Sequence, residues 1–371
     1  MNPQEVFCPN EARVARGQIG KDNIGVHSQK ERRYICQVCN KTFAETKGTP
    51  FYRAHKLHVE LAIVITLLAY GCPVPAIVAA FGWDERTVAR VQEEAGGHCQ
   101  AVHEHLVEQP RDLEQVQADE LRVKAQGLIL WVAMAMQVGT RLWLGGVVGE
   151  HRDGTLIAEL LRHVRACALC RPLLWCVDGF SAYVSAIRRA FREAIAPGQP
   201  GRPCLRPWDN IYIAQVIKQY SGKRVTGVVR RICQGPAAQI QTLIRASQGH
   251  GGINTAFIER LNATFRARLA PLVRRSRALV RQLPTLHAGV YLVGTVYNFC
   301  TYHDSLRVEL LLPHQRRRWL KRTPAIAAGI TDHQWSVEEL LWFKVPKPPS
   351  LPKRRGRPSA AFLELKKQWL G

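Results

Sequence analysis

Between residues 116 and 260, short apolar or alternating segments that are typical of strands are interleaved with segments of helical periodicity. Such a succession buries the strands in a sheet that helices cover, so we predict an α/β domain. The predicted strands span 116–124, 128–136, 141–150, 173–177, 211–217 and 224–230. Helices are predicted over 155–168, 181–196 and around Glu259, where Ile258, Leu261, Phe265 and Leu269 form an apolar stripe.

A chain of 371 residues is too long for one compact core. From changes in composition along the chain we predict four regions. Residues 1–56 have little apolar periodicity and need a staple such as a metal ion to fold. Residues 57–110 are predicted to be all-α, and residues 111–300 form the α/β domain. Residues 301–371 are a basic region that ends in a Pro/Lys/Arg linker and a short helix from residue 359.

The region 57–110 has the pattern of a helix-turn-helix, with helices predicted over 59–69, 75–82 and 85–95. Gly96-Gly97 would end the third helix, which would present Arg86 and Arg90 to a major groove. The region contains only two basic residues against seven acidic ones, which argues against extensive phosphate contact. A structural or dimerising role is therefore the alternative.

The net charge of +23 indicates a polyanionic partner, because small acidic ligands do not need so many cations. The densest stretch, from Arg260 to Arg281, holds seven arginines and no acidic residue. Without interleaved carboxylates it differs from an ordinary solvated helix face, which is the alternative. We predict that its arginines follow a DNA backbone; those singled out are Arg260, Arg266, Arg268, Arg274 and Arg275.

Near the C-terminus, residues 353–358 (Lys-Arg-Arg-Gly-Arg-Pro) have the pattern of an AT-hook. A glycine between Arg355 and Arg357 would let an extended backbone lie in a narrow minor groove. A solvated basic linker explains the pattern equally well.

The chain is expected to be cytoplasmic. It shows no secretory signal pattern at its N-terminus, and its eleven scattered cysteines are typical of reduced proteins. The longest apolar runs, 59–69 and 127–136, are shorter than the roughly 18 to 20 residues that a membrane span needs, so no membrane association is expected.

Three carboxylates stand where an α/β domain could assemble a catalytic site. Asp119 lies in the first strand, Asp178 ends a short apolar strand, and Glu259 lies on the late helix. Phosphodiester chemistry can use such a set to hold two hard cations. Glu120 competes with Asp119 for the first position. Each acid alone would more often be a surface group or a helix cap.

A resemblance to bacterial insertion-sequence DDE transposases, closest to the element-one-like group, strengthens this interpretation. The segments that carry it lie in order over about residues 1–345: Ala118–Leu121, Val177-Asp178-Gly179 with Tyr183, Asn254–Asn262 continuing through Arg266 and Arg268 to Arg275, and Tyr297–Cys300 with His303 and Leu306. The resemblance implies an RNase H-like core whose triad is Asp119, Asp178 and Glu259. It also implies Mg²⁺ (or Mn²⁺) at that triad.

Cys36 and Cys39 form half of a zinc ribbon, because a two-residue spacing places both thiolates on one tight turn. The transposases that this chain resembles usually begin with a further pair of cysteines. Here Cys8 is present, but Ala12 stands where its partner is expected. His27 is the nearest candidate for the fourth ligand. Zn²⁺ bound by Cys8, Cys36 and Cys39 is therefore one reading, and a decayed site is the other.

The resemblance implies a nucleoid-associated transposase that acts as a homo-oligomer on double-stranded DNA. It would cut one strand at each element end and join the freed 3′ hydroxyl to target DNA. Two alternatives stay open: a non-catalytic DNA-binding protein, and an RNase H-fold nuclease that cuts without joining.

Overall fold

A computed structural model describes residues 1–10, 15–195, 204–222, 224–273, 279–280, 282–310 and 318–346. The chain divides into two compact units, one made of residues 1–52 with those from 344 onward, the other of residues 53–343. The predicted domain boundaries at residues 56, 110 and 300 stay predictions. The predicted AT-hook and terminal helix lie outside the described residues.

The first unit contains a small antiparallel sheet built from β1 (Ile24–Ser28), β2 (Arg33–Cys36) and β3 (Lys41–Ala44). Its core holds few large side chains. Tyr34 stacks on Phe43 with ring centroids 5.8 Å apart, and Cys8 and Cys36 are buried beside them. So small a core agrees with the expectation that this segment needs additional support.

The second unit begins with three helices, α1 (His58–Ala69), α2 (Val74–Phe81) and α3 (Glu85–Leu106). The prediction that α3 ends at Gly96-Gly97 is wrong, because the helix continues for nine residues beyond Gly97. At Gly96 the helix meets another chain segment so closely that a Cβ would lie 2.3 Å from the carbonyl oxygen of Ala288. Gly96 thus permits a close helix crossing and does not terminate the helix.

The centre of this unit is a mixed six-stranded sheet. Its strands, in chain order, are β4 (Gln115–Lys124), β5 (Ile129–Gln137), β6 (Trp143–Gly149), β7 (Leu173–Asp178), β10 (Ile211–Ser221) and β11 (Arg224–Gln234). Two short strands, β8 (Arg192–Ile195) and β9 (Cys204–Pro207), pair separately. The order across the sheet is β11-β10-β7-β4-β5-β6, with β7 parallel to both β4 and β10 and the remaining pairs antiparallel.

Helices cover both faces of the sheet. They are α4 (Gly154–Cys167), α5 (Ala182–Ala190), α6 (Ala237–Gln248) and α7 (Ala256–Arg268). Two residues of β4 that point to opposite faces of the sheet contact different helices. Gln115 accepts a hydrogen bond from Ser247 of α6, while Glu120 accepts one from Tyr183 of α5. This architecture is compatible with the predicted RNase H-like core.

An 18-residue helix that the sequence did not predict, α8 (Leu283–Cys300), packs along α3 and β6. Asn298 accepts from the Trp143 amide and donates to the Trp143 carbonyl, both at 2.9 Å, which ties α8 to the start of β6. Gly294 leaves space for the Trp143 ring. Although α8 is largely apolar, no helix in the described part of the chain is long and apolar enough to cross a membrane.

The predicted helix over 181–196 is shorter in the structure, ending at Ala190 before β8. The sequence also did not predict α6. After α8 the chain forms a hairpin of β12 (His303–Leu310) and β13 (Arg318–Arg322). Two short helices follow, α9 (Pro324–Ala327) and α10 (Val337–Trp342).

The crossing of α3 and α8 gives a matched test in adjacent residues. We predict that Gly96→Ala destabilises the protein by about 1 to 3 kcal/mol, because the new methyl group would overlap Ala288. Gly97→Ala meets no atom within 4 Å and should stabilise by roughly 0.5 to 1 kcal/mol. Urea denaturation followed by circular dichroism measures the free energy of unfolding of both variants. Equal effects of the two substitutions would contradict the close contact between α3 and α8 at Gly96.

Candidate active site

The pairing of β4 with β7 brings the two predicted aspartates together. The strands run parallel with Ala118 opposite Val177, so Asp119 and Asp178 follow on the same face of the sheet. One carboxylate oxygen each from Asp119, Glu120 and Asp178 lie within 4.8 Å of one another, a grouping that could hold a metal ion.

Glu259 reaches the same place because α7 is fixed to β4 at two points. Gln117 accepts bonds from the amides of Phe257 (3.1 Å) and Ile258 (3.0 Å), two of the free N–H groups at the start of α7. One turn further, Asn262 donates to Asp119 Oδ2 at 2.7 Å. Glu259 lies between these two contacts, in the first turn of the helix, where a negative charge is favourable.

The three predicted residues line one open cleft of about 450 Å³. The structure therefore places Asp119, Asp178 and Glu259 at one site, although they are far apart in the sequence. The walls also include Phe180, Tyr220 and two cationic side chains that sequence reasoning missed, Arg152 and Lys218.

Arg152 and Lys218 both form ion pairs with the acidic residues. The Arg152 guanidinium lies 3.0 Å from Asp178 Oδ2 and 2.7 Å from Glu120 Oε2. Lys218 lies 2.5 Å from Glu259 Oε1, which also accepts a bond from Thr255. Arg152 lies between the predicted strand 141–150 and the predicted helix 155–168, and Lys218 directly follows the predicted strand 211–217, so no local signal distinguishes them from surface cations.

The surroundings of Glu120 differ from those of Asp119. The Glu120 side chain has no exposed surface, and its two oxygens accept bonds from Tyr183 and Arg152. Glu120 does not line the cleft, whereas Asp119 does. The geometry thus favours Asp119 over Glu120 as the group that faces a ligand in the cleft.

The pKa of Asp119 is raised to about 7, by burial first and then by the negative charges of Glu120, Asp178 and Glu259. Close carboxylates in a partly buried cleft favour binding of a cation, because it removes their mutual repulsion. These residues offer oxygen atoms only, which suits hard divalent cations such as Mg²⁺ or Mn²⁺.

In the other unit, the sulfur atoms of Cys8, Cys36 and Cys39 form a second group that could hold a metal ion, with Cys8 and Cys39 3.7 Å apart. Burial raises the pKa of the Cys8 thiol to about 12, so deprotonation there would require a bound cation. His27 does not belong to this group among the described residues, and Ala12 lies outside them.

The predicted DNA contacts occupy several different surfaces. Arg86 and Arg90 are exposed on α3, where Arg90 pairs with Glu94 at 2.9 Å. On α7, Arg260 is exposed and Arg266 is half-buried, while Arg268 donates to Thr301 at 3.3 Å. Arg274, Arg275, Arg355 and Arg357 lie outside the described residues.

No family model matches this chain, and no curated protein matches it in sequence. Among solved structures it is similar to the piggyBac transposase synaptic complex with hairpin DNA, at a TM-score of 0.34 and 9% identity. That match covers 64% of this chain and spans 63% of the piggyBac chain. A likeness so distant carries no argument about function.

The raised pKa of Asp119 predicts a pH-dependent loss of stability without metal. The folded protein binds the Asp119 proton more tightly than the unfolded chain does. The contribution of this proton to the free energy of unfolding is therefore complete below about pH 4 and is lost as the pH rises through 7. Asp119→Asn should therefore be roughly 1 to 3 kcal/mol more stable than the wild type at pH 8 in EDTA, and similar at pH 4.

Thermal melting from pH 4 to 8, with and without Mg²⁺, measures this effect. Mg²⁺ should raise the melting temperature of the wild type at pH 8 and leave Asp119→Asn unchanged. Asp209→Asn is the control, because Asp209 is a 73% exposed surface acid. If the melting temperatures of all three proteins changed in parallel with pH, the proposed repulsion between Asp119 and the neighbouring carboxylates would be contradicted.

The cysteine group predicts about one zinc ion per chain in protein purified without chelator. Cys36→Ser should lose the metal and lower the melting temperature, while the exposed Cys204→Ser should retain both. Elemental analysis by mass spectrometry decides the matter. Wild-type protein without zinc, or Cys36→Ser with its full content, would show that the site has decayed.

Proposed function

We propose that this protein is a DDE transposase of a bacterial insertion sequence. One observation carries the proposal: Asp119 and Asp178 on neighbouring parallel strands and Glu259 on α7 line a single open cleft. The ordered motifs around these residues support the transposase assignment, and the net charge of +23 supports DNA as the substrate.

In the proposed mechanism, Asp119, Asp178 and Glu259 would hold Mg²⁺ or Mn²⁺, which would lower the pKa of the attacking water or 3′ hydroxyl and stabilise the leaving oxygen. A water oxygen attacks the phosphorus at the element end, and the bond to the 3′ oxygen breaks to leave a 3′ hydroxyl. That hydroxyl then attacks a target phosphorus and displaces the target's own 3′ oxygen. The number of phosphodiester bonds is conserved in the second step, so no external energy source is needed.

The remaining residues of the site keep these ligands in place. Asn262 binds Asp119, and the amide of Phe180 donates to Asp178 Oδ1 at 2.9 Å. Lys218 and Arg152 neutralise Glu259 and Asp178 in the free protein. When metal and DNA enter, these cations would face the phosphate at which charge develops.

The other regions would position the DNA. In this proposal residues 1–56 form a zinc ribbon, residues 57–110 a helix-turn-helix that presents Arg86 and Arg90, and residues 111–300 the catalytic domain. The region 301–371 adds Arg355 and Arg357. The protein acts as a homo-oligomer that holds both element ends, in the bacterial cytoplasm on the nucleoid.

We predict that Asp178→Asn lowers strand cleavage and joining by roughly 1,000-fold, about 4 kcal/mol, because the substitution removes a metal ligand. DNA affinity should stay within about twofold of the wild type, since the amide still accepts the Phe180 bond. The assay combines labelled DNA from the flanks of the gene, Mg²⁺ and a target plasmid, with Asp209→Asn as control.

Three outcomes would contradict parts of this proposal. Cleavage without joining by the wild type would indicate a nuclease. DNA binding without any chemistry would indicate a non-catalytic DNA-binding protein. Loss of DNA binding in Asp178→Asn would exclude the role assigned to Asp178.

A further inference from the structure

A second, smaller pocket lies on the other side of α7 from the carboxylates. It has a volume of about 60 Å³, room for a few water-sized groups, and lies between α7, the β5–β6 loop and the start of β12. Its polar lining comes from Arg141, Arg260, Thr264, His303 and Ser305, which we call the Arg141 pocket. No motif in the sequence pointed to a role for Arg141.

Arg141 is held firmly in this position. Its backbone has a φ of 60°, a left-handed conformation that is uncommon for arginine. Its guanidinium lies 4.0 Å from the centre of the Phe257 ring and donates to the carbonyl of Val138. The guanidinium is thus oriented before any ligand binds, which lowers the entropic cost of binding.

The Arg141 pocket concentrates positive charge. Among the described residues, no carboxylate lines it, and neither Arg141 nor Arg260 has a carboxylate within salt-bridge distance. The pKa of His303 is lowered to about 4, by burial and then by the charges of Arg141, Arg260 and Arg268. The exposed carboxylate of Asp304 partly offsets this charge at His303, and an anion in the pocket would relieve the remaining repulsion between the arginines.

The groups that line the pocket match a phosphodiester. Two guanidinium groups supply charged donors in a planar fork, and the hydroxyls of Thr264 and Ser305 can add neutral ones. Arg260 directly follows Glu259 on α7, so the pocket adjoins the helix that also forms one wall of the catalytic cleft. A strand whose scissile phosphate occupies the cleft would extend past this face of α7.

We propose that the Arg141 pocket binds a backbone phosphate of the DNA strand that enters the catalytic cleft. This inference rests on the proposed function, because it takes DNA as the substrate. It adds Arg141 to the DNA contacts predicted on α7 and gives Arg260 a defined partner. Phosphate contacts of this kind fix the register of a strand without reading its sequence.

The test compares the DNA affinity of Arg141→Gln and Arg260→Gln with the wild type, by fluorescence anisotropy of a labelled duplex at several salt concentrations. Each variant should bind roughly 3- to 10-fold more weakly at low salt, and the slope of log affinity against log salt should fall by about 1. Arg162→Gln is the control, because Arg162 is 68% exposed on α4. Arg260 is also exposed, so its variant tests the pocket even where Arg141→Gln fails to fold.

The possible outcomes separate this inference from the proposed function. Wild-type binding that neither variant weakens would overturn the pocket and leave the transposase proposal intact. A wild type without affinity for DNA would contradict both. Calorimetry with inorganic phosphate distinguishes a small-anion site: submillimolar phosphate binding lost in Arg260→Gln, with DNA affinity unchanged, would also overturn the DNA assignment.

Discussion

Electrostatic repulsion among Asp119 and Glu120, in the middle of β4, and Asp178, at the end of β7, is the constraint on which the site depends. Parallel pairing places Asp119 beside Asp178, and the following residue, Glu120, adds a third carboxylate. Such crowding is unfavourable unless positive charge is close by. In the metal-free protein Arg152 and Lys218 supply it, and in the proposed enzyme divalent cations would supply more.

The surrounding fold holds these groups against their repulsion. Gln117 and Asn262 attach α7 to β4, so Glu259 cannot move away without breaking three hydrogen bonds to β4. Behind α7, Trp143 contacts Phe265 at a centroid distance of 5.9 Å and is itself bound by Asn298 of α8. The buried helix α8 thus supports α7, and with it this wall of the cleft, from behind.

Much of this arrangement could be predicted from the sequence. The strands of the central sheet stood out as short apolar or alternating segments, and Asp178 stood where an apolar strand stops. Glu259 lay on a helix with a visible apolar stripe. The predicted triad is therefore found in one cleft, since local pattern and sheet geometry together determine where strand ends meet.

Other features depend on contacts between distant segments and left no local signal. Gly96 resembles a helix terminator, yet it is required for close packing against Ala288. Helix α8 is buried from Ala288 to Cys300, so it lacks the polar face that gives helical periodicity. Arg152, Lys218 and Arg141 gain their importance only from carboxylates, rings and arginines that the fold brings beside them.

The most direct measurement is anomalous diffraction from crystals of the protein grown with Mn²⁺. We expect manganese bound by Asp119 and Asp178, near Glu259, with Glu120 still bonded to Tyr183 and outside the coordination shell. Crystals in which Arg152 and Lys218 keep their ion pairs, and in which manganese is absent from the cleft or bound elsewhere, would contradict this expectation.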